Sequence, residues 1–176
     1  MSLSSPRELF VHELGDTLSA EQIILGMLPE LQKESRHPEA KKAFKEHEQE
    51  TRKQIKNLQS VFKLIGEAPE PTTCHAAEGL KKEHEALHEE QPTPDVLEAG
   101  NMGGAAKTEH YEIATYTLLV QMATDLGERD AAKLLRENLN QEKEMAKRVN
   151  AISKELGKAA KAKANGSTQR AAKAVR

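Results

Sequence analysis

Six residues able to bind metal ions interrupt the apolar stripes of four predicted helices. They are five glutamates and one histidine: Glu21, His47, Glu50, Glu109, Glu112 and Glu142. Apolar residues that recur every three or four places define the buried face of a helix. Glu21 lies in the row of Leu18 and Leu25, and each of the other helices has a similar interruption. The sequence thus puts carboxylates on faces that should be buried.

A cluster of buried carboxylates requires positive charge nearby, because unpaired ionised carboxylates are costly to bury and repel one another in a low dielectric. A pair of divalent cations removes both penalties. Carboxylate oxygens with one imidazole suit iron or manganese, and zinc can occupy the same kind of site. His47 and Glu50 lie three residues apart, as do Glu109 and Glu112, so each pair can serve one site. A lone glutamate at the edge of a stripe usually reaches for water or a lysine instead. Four interrupted helices therefore predict two iron or manganese ions per bundle.

Helix geometry predicts that these side chains share one layer. Glu21 lies about 15 residues into the first helix, roughly 22 Å along it at 1.5 Å per residue. Glu50 lies about 12 residues into the second helix, which runs back, so the two have similar heights if the turn is near residues 35–37. Glu109 and Glu142 lie at similar distances on either side of the later turn.

Capping and turn residues outline the helices that carry this layer. Ser5-Pro6-Arg7-Glu8 is a capping box with proline at the first helical position, and His37-Pro38 begins the second helix. Glycines typical of helix ends follow the second, third and fourth long helices at Gly66, Gly127 and Gly157. Each long helix therefore has a predicted boundary.

A longer connection joins the two helical pairs. A short polar helix is expected from Thr73 to about Glu90, glycines make residues 95–104 ambiguous, and the third long helix is predicted from Ala105. Two helical hairpins joined by one long crossover are typical of ferritin-like proteins. The predicted fold is all-α, a ferritin-like antiparallel four-helix bundle whose crossover carries a short helix.

Composition restricts the class of protein. A chain of 176 residues with few aromatics suits one helical domain. No apolar stretch approaches the roughly 18 residues of a membrane span. The single cysteine and a start without a secretion-signal pattern favour a cytoplasmic protein.

The charge is unevenly distributed. Residues 158–176 hold six basic and no acidic residues, so the net charge of −2 leaves −8 on the rest of the chain. We expect a bundle over residues 1–157 and a flexible basic Ala/Lys-rich tail over 158–176. The tail is interpreted as solvated, with nucleic-acid binding as the alternative.

A second motif competes with the carboxylate layer. His84-Glu85-Ala86-Leu87-His88 matches the pattern in which two imidazoles one turn apart hold zinc and the glutamate is a general base. Charged neighbours indicate a solvated helix, and no third ligand is well placed in the sequence. The match is interpreted as chance, with a weak surface zinc site as the milder alternative. Cys74 is expected to be a small buried residue rather than a nucleophile.

Several motifs together resemble the ferritin-like YciE/YciF stress-protein family. The most specific is Glu109-His110-Tyr111-Glu112-Ile113-Ala114-x-Tyr116, supported by His47-x-x-Glu50-Thr51-x-x-Gln54 and Leu135-x-x-x-Leu139-x-x-Glu142. The resemblance covers about residues 6–156. It implies a rubrerythrin-like di-metal bundle that forms a homodimer and is linked to stress responses. The corresponding class of function is a redox metalloprotein that handles O₂, peroxide or iron.

Two other classes of function remain open, and so does the question of enzymatic activity. One is a helical association protein with a degenerate or absent metal site. The other is a DNA-protecting protein that uses the tail. The positions of the histidines bear on whether the metal site is degenerate. Many ferritin-like proteins carry Glu-x-x-His, whereas the third residue after Glu50 in this chain is Lys53. Only His47, one turn earlier, can supply an imidazole on that face.

Overall fold

The computed structural model describes residues 3–174, with only the backbone given at residue 164 and over residues 166–174; the last two residues of the predicted tail lie outside the described part. The described residues form five α-helices and no strand. These are α1 (Pro6–Glu34), α2 (Pro38–Leu64), α3 (His75–Glu89), α4 (Pro94–Asp125) and α5 (Arg129–Ala174). The all-α prediction is confirmed.

The helix boundaries follow the capping residues of the sequence. The Ser5 hydroxyl accepts a hydrogen bond from the Glu8 amide at 3.2 Å, and Pro6 begins α1. Gly66 and Gly127 have φ of +77° and +79°, a left-handed conformation that ends α2 and α4 and that glycine adopts without steric cost. The predicted ends of these two helices are therefore confirmed.

Two predictions about the later helices were wrong or incomplete. The ambiguous residues 95–104 are helical, and α4 begins at Pro94 rather than Ala105. A Cβ atom at Gly100 would lie 2.4 Å from a methyl carbon of Leu87, so this glycine lets α3 pack closely on α4. At the other end, α5 continues through Gly157 to Ala174, although the sequence predicted its end there. A helical glycine costs only about 1 kcal/mol and does not by itself end a helix.

The four long helices form an antiparallel ring. Gln32 of α1 donates to Glu48 of α2, and the backbone amide at Arg36, just after α1, donates to Glu98 of α4. Arg148 of α5 pairs with Glu46 of α2, and Glu137 of α5 pairs with Lys53 of α2, so residue numbers rise along one helix where they fall along the other. Each long helix thus runs opposite to both of its neighbours, and α3 packs across α1 and α4. This is the predicted bundle with its crossover helix.

The crossover helix begins at the buried Cys74. Its sulfur accepts a hydrogen bond from the Ala77 amide at 3.4 Å and lies 3.0 Å from the Tyr111 hydroxyl. Burial raises the pKa of the Cys74 thiol. The residue therefore caps α3 as a protonated thiol, which agrees with the expected buried role.

None of the helices, over the residues that are described, has an apolar segment long enough to cross a membrane.

Candidate metal centre

A polar layer divides the bundle core into two apolar halves. One half contains Phe10, Leu18, Leu58 and Leu119 among others, and the second contains Ile24, Phe44, Met145 and Val149 among others. Buried polar residues lie between the halves on all four long helices: Glu21, His47, Thr51, Gln54, Glu109, Glu112, Asn138 and Glu142. The predicted layer of carboxylates therefore coincides with the gap between the apolar halves.

Four of the six predicted ligands converge at the centre of this layer. His47, Glu109, Glu112 and Glu142 each offer one ligand atom, and these atoms all lie within 4.8 Å of one another. Nε2 of His47 is 3.5 Å from Oε1 of Glu109. One imidazole and three carboxylates from α2, α4 and α5 thus share one small volume.

The other two predicted ligands flank this group. Glu21 is fully buried and accepts a hydrogen bond from the Tyr116 hydroxyl, while its second oxygen has no partner among the described residues. The Glu50 side chain is 38% exposed, and its Oε2 lies 3.8 Å from Nδ1 of His47. Glu21 therefore belongs to the buried layer from the α1 side, whereas Glu50 lies at its rim.

The electrostatics of the layer are unfavourable without an added cation. The pKa values of four carboxyls lie above their ordinary range: Glu21, Glu109, Glu112 and Glu142. The main cause for each is burial, which penalises the charged form. Neighbouring carboxylates raise these pKa values further, whereas His47 acts in the opposite direction on the pKa of Glu142. The layer therefore favours bound protons or bound cations.

Buried atoms without hydrogen-bond partners test whether metal ions fit here. In the part of the chain that the structure describes, both oxygens of Glu112 and both ring nitrogens of His47 lack such a partner. So does one oxygen each of Glu21, Glu109 and Glu142. Buried polar atoms are almost always paired in native proteins, and a bound ion is one of the recognised explanations for an exception. All of these atoms are oxygen or imidazole donors, so the donor set fits divalent cations.

Neighbouring polar side chains orient the carboxylates. Tyr116 donates to Glu21 and accepts a hydrogen bond from Nδ2 of Asn138 at 3.1 Å. Gln54 donates to one oxygen of Glu142. Asn138 was missed as a member of the layer, although its position four residues before Glu142 puts both side chains on one face of α5.

Comparison with known proteins identifies the relatives of this bundle. A family model described as a domain of unknown function, DUF892, matches residues 5–162. The chain belongs to the DUF892 family. It is 35% identical over 144 residues to protein YciF of Escherichia coli K12, covering 81% of this chain and 87% of that one. The resemblance to the YciE/YciF proteins is thereby confirmed.

Solved structures of similar proteins share the fold. The E. coli stress protein YciF has a TM-score of 0.84 at 32% identity, covering 89% of this chain and 99% of that one. YcfI of Rhodopseudomonas palustris, described as a candidate structural protein, has a TM-score of 0.82 at 35% identity, covering 85% of this chain and 95% of that one. A Xanthomonas campestris protein has a TM-score of 0.72 at 24% identity, covering 88% of this chain and 95% of that one, which indicates a common fold alone.

Proposed function

We propose that this chain is a di-metal protein of a stress response, in which two iron or manganese ions bind at the central layer and O₂, peroxide or iron is handled. The supporting observation is the set of buried carboxylate oxygens and imidazole nitrogens without partners in the described residues. The similarity to a protein described as the E. coli stress protein YciF supports the physiological context.

The donors are shared among the four long helices. His47, Glu109, Glu112 and Glu142 would form the common centre, with Glu21 from α1 and Glu50 from α2 completing it. Two divalent cations would nearly balance the charge of these carboxylates. When bound, iron or manganese would supply a centre able to exchange electrons with O₂ or peroxide.

Side chains beside the metal-binding carboxylates hold them in position by hydrogen bonds. Gln54 occupies one oxygen of Glu142 and leaves the other free, and Tyr116 does the same for Glu21. Hydrogen bonds of this kind orient ligands before a metal arrives, and their loss typically weakens metal binding by about 10–100-fold.

A cavity supports access by a small molecule. It has a volume of about 260 Å³, and its lining includes His47 and Glu109 together with apolar side chains such as Ile24 and Phe44. A mostly apolar cavity beside these ligands suits a small, weakly polar oxidant better than a large charged substrate.

Metal analysis tests the proposal directly. Protein purified without chelator, or metal-free protein dialysed against Mn(II), should retain about two ions per chain. Glu109→Ala and Glu142→Ala should lose most of this metal. Glu144→Ala is the matched control, because Glu144 lies on the same helix as Glu142 but its side chain is 70% exposed and pairs with Lys147. If the wild-type protein retains no iron or manganese, the di-metal proposal is wrong, and the helical association protein is the hypothesis that remains.

A further inference from the structure

We propose a second, separate metal site of zinc-binding character formed by Glu34, His84 and His88, where α3 crosses the end of α1. The three side chains each offer one ligand atom within 4.8 Å of the others. Nε2 of His88 lies 2.9 Å from Oε1 of Glu34, and Nε2 of His84 lies 3.4 Å from Oε2 of the same carboxylate. This proposal does not depend on the central layer.

The site reverses the chance interpretation of the His-Glu-x-x-His motif. That interpretation rested on the lack of a third ligand in the sequence, and the fold provides one from α1, 50 positions before His84. The two imidazole rings meet edge to face with centroids 4.8 Å apart, as expected for histidines one helical turn apart. Their helix is also less solvated on this face than its charged composition predicted, since the His84 side chain is only 11% exposed.

The donor chemistry suits a borderline divalent cation. Two imidazoles and one carboxylate are a common protein ligand set for Zn²⁺ and leave one coordination position open. Although Glu34 is close to His88, the contact lacks hydrogen-bond geometry, and Nε2 of His88 has no hydrogen-bond partner in the described chain. A metal ion would bind this nitrogen and Oε1 of Glu34 together.

The placement of Glu34 also favours a cation. It is the last residue of α1, where the helix dipole and the free carbonyl groups are negative, so its own carboxylate is unfavourable there. Nδ2 of the buried Asn101 donates to Oε2 of Glu34 at 2.7 Å. Second-layer hydrogen bonds of this type orient metal ligands. Asn101 therefore acts as a positioning residue for the carboxylate.

The arrangement is a binding site and not a peptidase centre. The Glu85 side chain is 55% exposed and pairs with Lys81 at 3.5 Å, so it is turned toward solvent. A general base must reach the metal-bound water, and Glu85 does not join the ligand group. Metal binding is expected to stabilise the existing contact between α3 and α1.

Titration of metal-free protein with Zn²⁺ tests the site. We expect His84→Ala/His88→Ala to bind one zinc ion fewer per chain than wild type. His75→Ala is the matched control, because His75 begins the same helix with a side chain that is 87% exposed; it should bind as wild type does. A central variant, Glu109→Ala/Glu142→Ala, should keep the zinc bound at Glu34, so failure of this site and failure of the central centre give different results.

The proposal is overturned if wild type and the double histidine variant bind the same number of zinc ions with equal affinity. Circular dichroism checks that each variant folds, and Glu34→Gln, which preserves size, serves in place of the double variant if that protein is unfolded. The role of Asn101 is tested by Asn101→Leu, which should lower zinc affinity by about 10–100-fold and alter the visible absorption of bound Co²⁺. Unchanged affinity in Glu34→Gln would show that the carboxylate is not a ligand.

Discussion

Replacing Glu112 by glutamine should stabilise the metal-free protein and destroy its response to metal. Glu112 is 2% exposed, and neither carboxylate oxygen has a hydrogen-bond partner in the described structure. Burial and neighbouring carboxylates raise the pKa of Glu112, so the metal-free fold favours the protonated side chain more than the unfolded chain does. Glutamine has nearly the same shape and carries no charge at any pH.

The effect has an upper limit, which is the cost of holding a proton on this carboxyl at pH 7. Keeping a carboxyl of ordinary pKa 4.5 protonated at pH 7 costs about 3.5 kcal/mol, at about 1.4 kcal/mol per pH unit. Glu112→Gln should recover up to that amount in free energy of unfolding. For a chain of this size, 1 kcal/mol corresponds to about 2–4 °C. The metal-free variant should therefore melt up to about 7–14 °C above metal-free wild type.

Metal should reverse the order. Binding to the folded state at 100 times Kd stabilises by about 2.7 kcal/mol, or roughly 5–11 °C for wild type. The variant has lost a ligand at the centre of the group and should gain much less. Thermal melts of both proteins at pH 7, with and without Mn(II), measure all four values.

Two controls make the result decisive. Glu144→Gln alters an exposed glutamate and should change the free energy of unfolding by less than about 0.5 kcal/mol. At pH 4 the advantage of Glu112→Gln should shrink, because the carboxyl is then largely protonated in the unfolded state as well. A metal-free variant that is less stable than wild type at pH 7 would refute the reasoning, since it would show that Glu112 has a favourable partner.

Three further outcomes are expected. Burial raises the carboxyl pKa values of the central layer, so the folded metal-free chain binds more protons than the unfolded chain. Its free energy of unfolding should therefore fall as pH rises above about 4.5. Urea titrations across pH measure this, and a free energy of unfolding that increases with pH would contradict it. Tyr116→Phe removes the hydroxyl that donates to Glu21 and should lower the free energy of unfolding by about 1–3 kcal/mol in urea titration. No change would show that this hydrogen bond contributes nothing to stability. A chain ending at Gly157 should melt within a few degrees of the full chain. The one side-chain hydrogen bond or ion pair beyond that point in the described residues is the exposed pair of Lys163 with Asp95, and such pairs contribute about 0–1 kcal/mol. A larger loss would show that the end of α5 docks on the bundle.

Features that depend on neighbouring residues in the chain were predicted from the sequence. The cap at Ser5 and the turns at Gly66 and Gly127 set the ends of helices. These signals are local, because they depend on the residue type and on its neighbours in the chain. Helical periodicity also identified Glu21 and Glu142 as residues of buried faces, because a face is a property of one helix. The bundle architecture and the layer of carboxylates follow from these local signals.

Features that depend on two distant segments were decided by the tertiary structure. Periodicity does not give the rotation of one helix against its neighbours, so it could not show that Glu50 lies at the rim while Glu112 lies at the centre. Gly100 indicates a weak helix in the sequence, yet in the fold it makes room for Leu87. Glu34 meets the histidines of α3 only because the crossover packs across the end of α1. The sequence determined which side chains are available to bind metal, and the packing of helices far apart in the chain decided which of them share a site.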